Sequence, residues 1–302
     1  MQNHKYSLFI FTIFIFIFIL FSCKTKDINY INYYNKVYTI DSIHRIHKDT
    51  LATIKRYKKL FKQYPPVQNE RITEYEVYIK MADKYHKNFG GVKSLDKLLA
   101  QTAPYWPPDR DFYQLYKRHG IDSAQVEQKF QQWKKGLNQV LVDSFSIAFK
   151  RDQYNRHIKE TVEMNDNKNA KLLIWTLKNY GYPSMQKMGL WGDNRTLMSM
   201  GMMLNHMAYT KYYEYFKTEL LQYVKSGECT PRDYIDMVDK YQYVNNGITM
   251  YGIFMRYSEA NLNAADSARI DKNRAAIGFP RMKTSVKIAK DFFDKLKKQK
   301  NH

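Results

Sequence analysis

The chain has 302 residues, 44% of them hydrophobic and 26 of them tyrosine, enough to bury one large core or two small ones. A formal net charge of +20 raises nucleic acid as a partner. The charge runs along the whole chain with no zinc-finger spacing and no RNA-binding aromatic signature, so no nucleic acid is expected; an anionic envelope component, lipid or polysaccharide, is the more natural counterpart.

In chain order, residues 1–22 place Lys5 before an apolar run from Leu8 to Phe21, the pattern of a signal peptide. The run is short for a spanning helix, which needs roughly 20 apolar residues. Leu20-Phe21-Ser22-Cys23 resembles a bacterial lipoprotein box, with Phe21 bulkier than the usual occupant. Cleavage before Cys23 and lipidation of its thiol are therefore expected, and several acyl chains would anchor the protein stably. Cys229 is then the one remaining thiol, so no internal disulfide is expected. Lys24 stands where an aspartate would resemble an inner-membrane retention signal, which favours the outer membrane. The following Lys24-Thr25-Lys26-Asp27 is not an acidic surface-export run, which favours its periplasmic face.

Residues 23–40 are polar and rich in Tyr and Asn and read as a tether. An amino-terminal helical region follows over 41–103: a helix from Asp41 or Ser42 to Gln63 stopped by Pro65-Pro66, one from Asn69 to Asn88, and a shorter one from Ser94 to Gln101. His44 and His47 share a face at i, i+3, but nothing nearby completes a metal ligand set. The proline-rich stretch Ala103–Asp109 marks the internal boundary, with Trp106 clamping it to the core. A carboxy-terminal helical domain is expected over 104–302. It opens with Asp109 to His119, then a long helix from the capping box Asp122/Gln125 to about Glu163, then Lys168 to Asn179.

Asn194 to Lys225 carries two apolar lines at helical spacing, one including His206, and reads as the long central helix of a multi-helix bundle. Gly227 stands at its C′ position. Thr230-Pro231 with Asp233 starts the next helix, which Asn245-Asn246-Gly247 stops. Ile248 to Tyr257 is rich in strand formers and is the place for at most one small β hairpin in an otherwise all-α fold. Asp266 to Ala276 and a basic amphipathic helix from Thr284 to Lys298 complete the chain.

Residues 149–280 present an ordered series of polar signatures: Asp152-Gln153 with Arg156, Gly181-Tyr182-Pro183, His206, Gly227-Glu228, Asp239, Tyr251-Gly252, and Arg274 with Ile277-Gly278-Phe279-Pro280. The series resembles an uncharacterised family of bacterial secreted and lipoprotein domains, a domain of unknown function, with Phe279 and Met188 as mild departures. The resemblance implies a compartment and a fold, and no activity.

No P-loop, Rossmann glycine fingerprint, HExxH or GxSxG is present, so no cofactor and no metal ligand set is read from spacing. The candidate ligand-binding residues are Asp152, Gln153, Arg156, His206, Asp239, Tyr251 and Arg274. Asp152 and Arg156 are placed to pair on one helix face and Asp239 to satisfy His206, with at least four of Asp152, Arg156, His206, Asp239, Tyr251 and Arg274 converging. The expected protein is a lipid-anchored envelope module that binds a ligand or partner. The alternative is an envelope hydrolase or transferase using His206, Asp239 and Arg274 as an acid–base site with a cationic clamp.

Overall fold

Short polar side chains open most of the helices. The computed structural model describes residues 28–67, 72–108, 110–254 and 263–300, and Cys23 with the expected export segment lies outside them. Among the described residues there are fourteen α-helices and no strand; the fold is all-α. Asn29 caps α1 (Tyr30–Ser42), Asp49 caps α2 (Thr50–Gln63), Asp122 forms a full capping box on α6 (Ser123–Lys135), and Asn138 caps α7 (Gln139–Gln153). Thr230 caps α12 (Pro231–Asn246) and Asn263 caps α13 (Ala264–Ala276). Each side-chain oxygen accepts from an amide that the first helical turn would leave unpaired. The remaining helices are α3 (Glu74–Lys84), α4 (Val92–Thr102), α5 (Arg110–Arg118), α8 (Lys159–Tyr180), the single turn α9 (Met185–Met188), α10 (Met200–Met207), α11 (Tyr213–Ser226) and α14 (Met282–Lys300).

The buried apolar residues fall into two clusters. The first gathers α1 to α6, from Tyr30 to Phe130, and takes Ile288 from α14. The second gathers α7 to α12 with the segment around Ile277–Phe279. The expected boundary at 103/104 therefore lies inside the first cluster, and the division comes at Gly136-Leu137-Asn138, between α6 and α7. Trp106 does clamp the proline-rich stretch, stacking on Phe130 with ring centroids 4.3 Å apart.

Four expected features are corrected. Residues 30–40 are no tether: Tyr30, Tyr33, Tyr34, Val37 and Ile40 fall at helical spacing and are buried. Tyrosine carries a large apolar ring behind its hydroxyl, so a run counted as polar supplies a core face. The helix from there to Gln63 is interrupted after a π turn at Ile43–His47, where Lys48 takes a left-handed conformation. The long helix from Asp122 breaks twice, before Asn138 and after Gln153.

The expected central helix is also two helices rather than one. Residues 193–199 are a 3₁₀ turn and extended backbone, joined by a single antiparallel bridge between Trp191 and Leu197. α10 then ends at Met207, where the Thr210 hydroxyl donates to the Met207 carbonyl and accepts from the Tyr212 amide, 3.3 Å away. A threonine side chain thus competes for the backbone groups that would have continued the helix. What is central is the pairing of α10 with α12, the most intimate helix pair in the molecule, with α8 against α10 and α11 against α12.

Residues 248–254 form no hairpin, within the expected limit of at most one. They are bends wound around one carboxylate, as described below, and 255–257 lie outside the described residues. No described helix is long and apolar enough to cross a membrane.

Candidate functional site

Four of the expected residues, Asp152, Gln153, Arg156 and His206, meet where the ends of α7 and α10 face the second turn of α8. Asp152 occupies the last turn of α7 and its side chain is fully buried. A carboxylate there opposes the helix dipole and requires a cation. The chain turns sharply after Gln153, with Asn155 left-handed, and brings Arg156 back over the helix end. Its Nη1 donates to the Asp152 carbonyl at 2.7 Å and stands 3.4 Å from Asp152 Oδ1. The pair therefore forms across a turn, not on the helix face that the spacing suggested. Gln153 Nε2 donates to the other carboxylate oxygen, Oδ2, at 2.6 Å.

His206 reaches the same carboxylate from the last turn of α10, with Nδ1 2.6 Å from Asp152 Oδ1. Its partner is thus Asp152 and not Asp239. Nε2 makes no hydrogen bond to any described residue, and the imidazole is 14% exposed, so its outer edge meets solvent.

Two residues complete the cluster that sequence reasoning did not list. Asp166, on α8, is 96% buried in its side chain yet its Oδ1 has no hydrogen-bond partner; it lies 3.9 Å from both Arg156 Nη1 and His206 Nδ1. Burial pushes the Asp166 carboxyl above the usual range, against the pull of His206 and Arg156. Lys240, on α12, lies over the ring of Tyr209 at 4.8 Å; burial and then Arg156 lower its ammonium pKa. Asn165 and Asn169, also buried on α8, hold the site's wall: Asn165 donates to the Arg151 carbonyl, and Asn169 accepts from the Arg151 guanidinium at 2.7 and 2.9 Å.

Asp166 was hidden because the polar run Met164–Asn167 reads as a gap between helices. Its signal is the i, i+4 spacing of Asn165 and Asn169, which extends the apolar stripe Ala170, Leu173 and Leu177 by one polar turn.

Asp239, Tyr251 and Arg274 are brought together elsewhere, so the six residues form two sets of three and no four of them converge. Asp239 is fully buried on α12 and accepts five hydrogen bonds from residues 249–254, including Met250 N at 2.6 Å, Tyr251 N at 2.8 Å and Ile253 N at 2.7 Å. Arg274, buried on α13, donates to the carbonyls of Tyr251, Pro280 and Gly252 at 2.6, 3.1 and 3.3 Å. The carboxylate gathers the amides of one loop and the guanidinium gathers its carbonyls. Their hydrogen-bonding capacity is spent on backbone, which is a structural role. His206 thus bonds Asp152, while Asp239 and Arg274 bond the loop around Tyr251, and the three make no hydrogen bond to one another among the described residues.

A recess of about 530 Å³ lies between the two clusters, with Pro66 and Gln101 on one side and Tyr182, Met200 and Asp233 on the other. It includes none of the seven expected ligand-binding residues. What the fold and site define is an all-α protein with a buried carboxylate–imidazole–guanidinium cluster opening at one edge to solvent. No protein-family model, curated protein or solved structure matches the chain.

Proposed function

We propose that the protein is a bacterial cell-envelope lipoprotein, anchored through Cys23 to the outer membrane on its periplasmic side, whose helical body is a binding module for an anionic envelope component. The observation that carries the binding reading is the half-open cluster at the end of α10. Arg156, 31% exposed, and Lys240 form a cationic rim beside the free Nε2 of His206, above the buried Asp152 and Asp166. Two cations and an imidazole edge at one opening suit a carboxylate or phosphate group. The signal-peptide pattern and the lipoprotein-box resemblance support the location, and the resemblance of residues 149–280 to envelope domains agrees with it.

A hydrolase or transferase is the second reading, favoured by one contact. Asp152 holds His206 through Nδ1 and leaves Nε2 facing outward, the arrangement of a general base oriented by a carboxylate. No described serine or cysteine hydrogen-bonds that nitrogen, so water would be the nucleophile.

Mass spectrometry of the mature amino terminus tests the anchor: a lipidated Cys23 is expected, and a retained Met1 would overturn it. Vesicles containing anionic phospholipid and soluble acidic glycans test the body. Binding that is lost in Arg156→Gln and Lys240→Gln, under conditions where both variants are folded, is expected; binding indifferent to both substitutions would sink the reading.

A further inference from the structure

The floor of the cluster carries a second kind of chemistry. Asp152, Asp166 and His206 each bring one ligand atom to within 4.8 Å of the other two, converging from three helices, and His206 Nδ1 lies 2.6 Å from Asp152 Oδ1 and 3.9 Å from Asp166 Oδ1. An ion held at about 2.0–2.4 Å from each ligand is accommodated once the 2.6 Å Asp152–His206 hydrogen bond opens by a few tenths of an ångström and its proton leaves. Asp166 Oδ1 is aimed into this space from a side chain 96% buried and has no hydrogen bond. A buried carboxylate oxygen without a partner is costly, and the nearest cation, Arg156 Nη1, stops 3.9 Å short of it.

That guanidinium is the key to the arrangement. Its Nη1 is 3.4 Å from Asp152 Oδ1, 3.4 Å from His206 Nδ1 and 3.9 Å from Asp166 Oδ1, so it stands beside all three ligand atoms without making a short bond to any of them. Its one short hydrogen bond is to the Asp152 carbonyl. Arg156 sits on a turn and is 31% exposed, so its side chain can swing out to solvent without moving a helix.

The geometry points to a divalent-cation site formed by Asp152, Asp166 and His206, in which Arg156 serves as the displaceable counter-cation of the metal-free protein. Two carboxylates and a neutral imidazole balance the charge of one divalent ion, and a mixed nitrogen–oxygen set suits Zn²⁺, Co²⁺, Mn²⁺ or Fe²⁺ better than Ca²⁺. Displacement of Arg156 from the Asp152 and Asp166 carboxylates frees its charge at the rim beside Lys240, so metal binding strengthens capture of an anion there. The inference takes the same cluster as the binding reading but rests on its floor rather than its rim.

Titration of the full-length protein in detergent with Co²⁺, followed by visible absorption, tests it. One equivalent is expected to bind and give a d–d band that Zn²⁺ removes. Asp166→Asn and His206→Gln should each weaken binding at least tenfold, and Arg156→Gln, on an exposed turn that tolerates the change, should tighten it at least threefold. His44→Gln should leave it unaltered. Absence of a band at millimolar Co²⁺, or tightening absent in Arg156→Gln, or loss of binding in His44→Gln would overturn the proposal. The two readings fail separately: Co²⁺ binding without anion binding sinks the rim alone, and anion binding without Co²⁺ binding sinks the floor alone.

Discussion

The ring of Tyr30 lies flat against Gly227, so close that a Cβ on the glycine would stand 2.7 Å from Tyr30 Cγ. The contact joins the first helix of the amino-terminal cluster to the C-terminal cap of α11 in the second. Gly227 is there for two reasons, since its φ of +83° also closes the helix in the left-handed conformation. Gly227→Ala combines backbone strain with overpacking and should cost about 2–4 kcal/mol in urea unfolding. Tyr30→Ala in the same background should recover part of that loss, a coupling that a double-mutant cycle measures.

Asp239 gathers a loop and does no chemistry. Asp239→Asn replaces one accepting oxygen by a donor facing backbone amides, and a loss of about 3–5 kcal/mol is expected. Under conditions where the variant is folded, Co²⁺ and anion binding at His206 should be unchanged. A selective loss of binding with stability intact would restore Asp239 to the site.

Arg274 presents a planar fork to three carbonyls, which an ammonium cannot span. Arg274→Lys should destabilise by about 2–3 kcal/mol in thermal or urea unfolding, in spite of the retained charge. An unchanged midpoint would show that the loop around Tyr251 and Gly252 does not depend on the fork.

Glu74 is buried beneath α1, where the Tyr33 hydroxyl donates to its Oε1 at 2.7 Å. Burial raises its carboxyl from 4.5 to about 7, with the Tyr33 hydrogen bond pulling the other way. The unfolded chain therefore releases this proton first as pH rises, so the group's contribution to stability falls between about pH 4.5 and 7. Relative to the wild type, Glu74→Gln should gain stability on the order of 3 kcal/mol between pH 5 and pH 8. Urea midpoints of both proteins at the two pH values check this, and a difference that does not change with pH would contradict it.

The sequence by itself determined the helical class, many helix stops and some starts, and the pairing of Asp152 with Arg156. These are local: a capping oxygen, a proline or a glycine acts on backbone within a few residues, so its effect is written where it stands. The Thr230-Pro231 start and the Gly227 and Gly247 ends belong to this set. Tertiary structure decided the rest. Whether Tyr30, Tyr33 and Tyr34 form a tether or a core face depended on a partner surface for their rings. Which acid His206 meets was set by the packing of α7 and α8 against α10, which brings Asp152 and Asp166 to Nδ1 and sends Asp239, one turn of chain among the same polar signatures, to the loop around Tyr251. The identity of a polar residue states what it can bond; only the fold, by fixing what lies within 3 Å of it, states what it does bond.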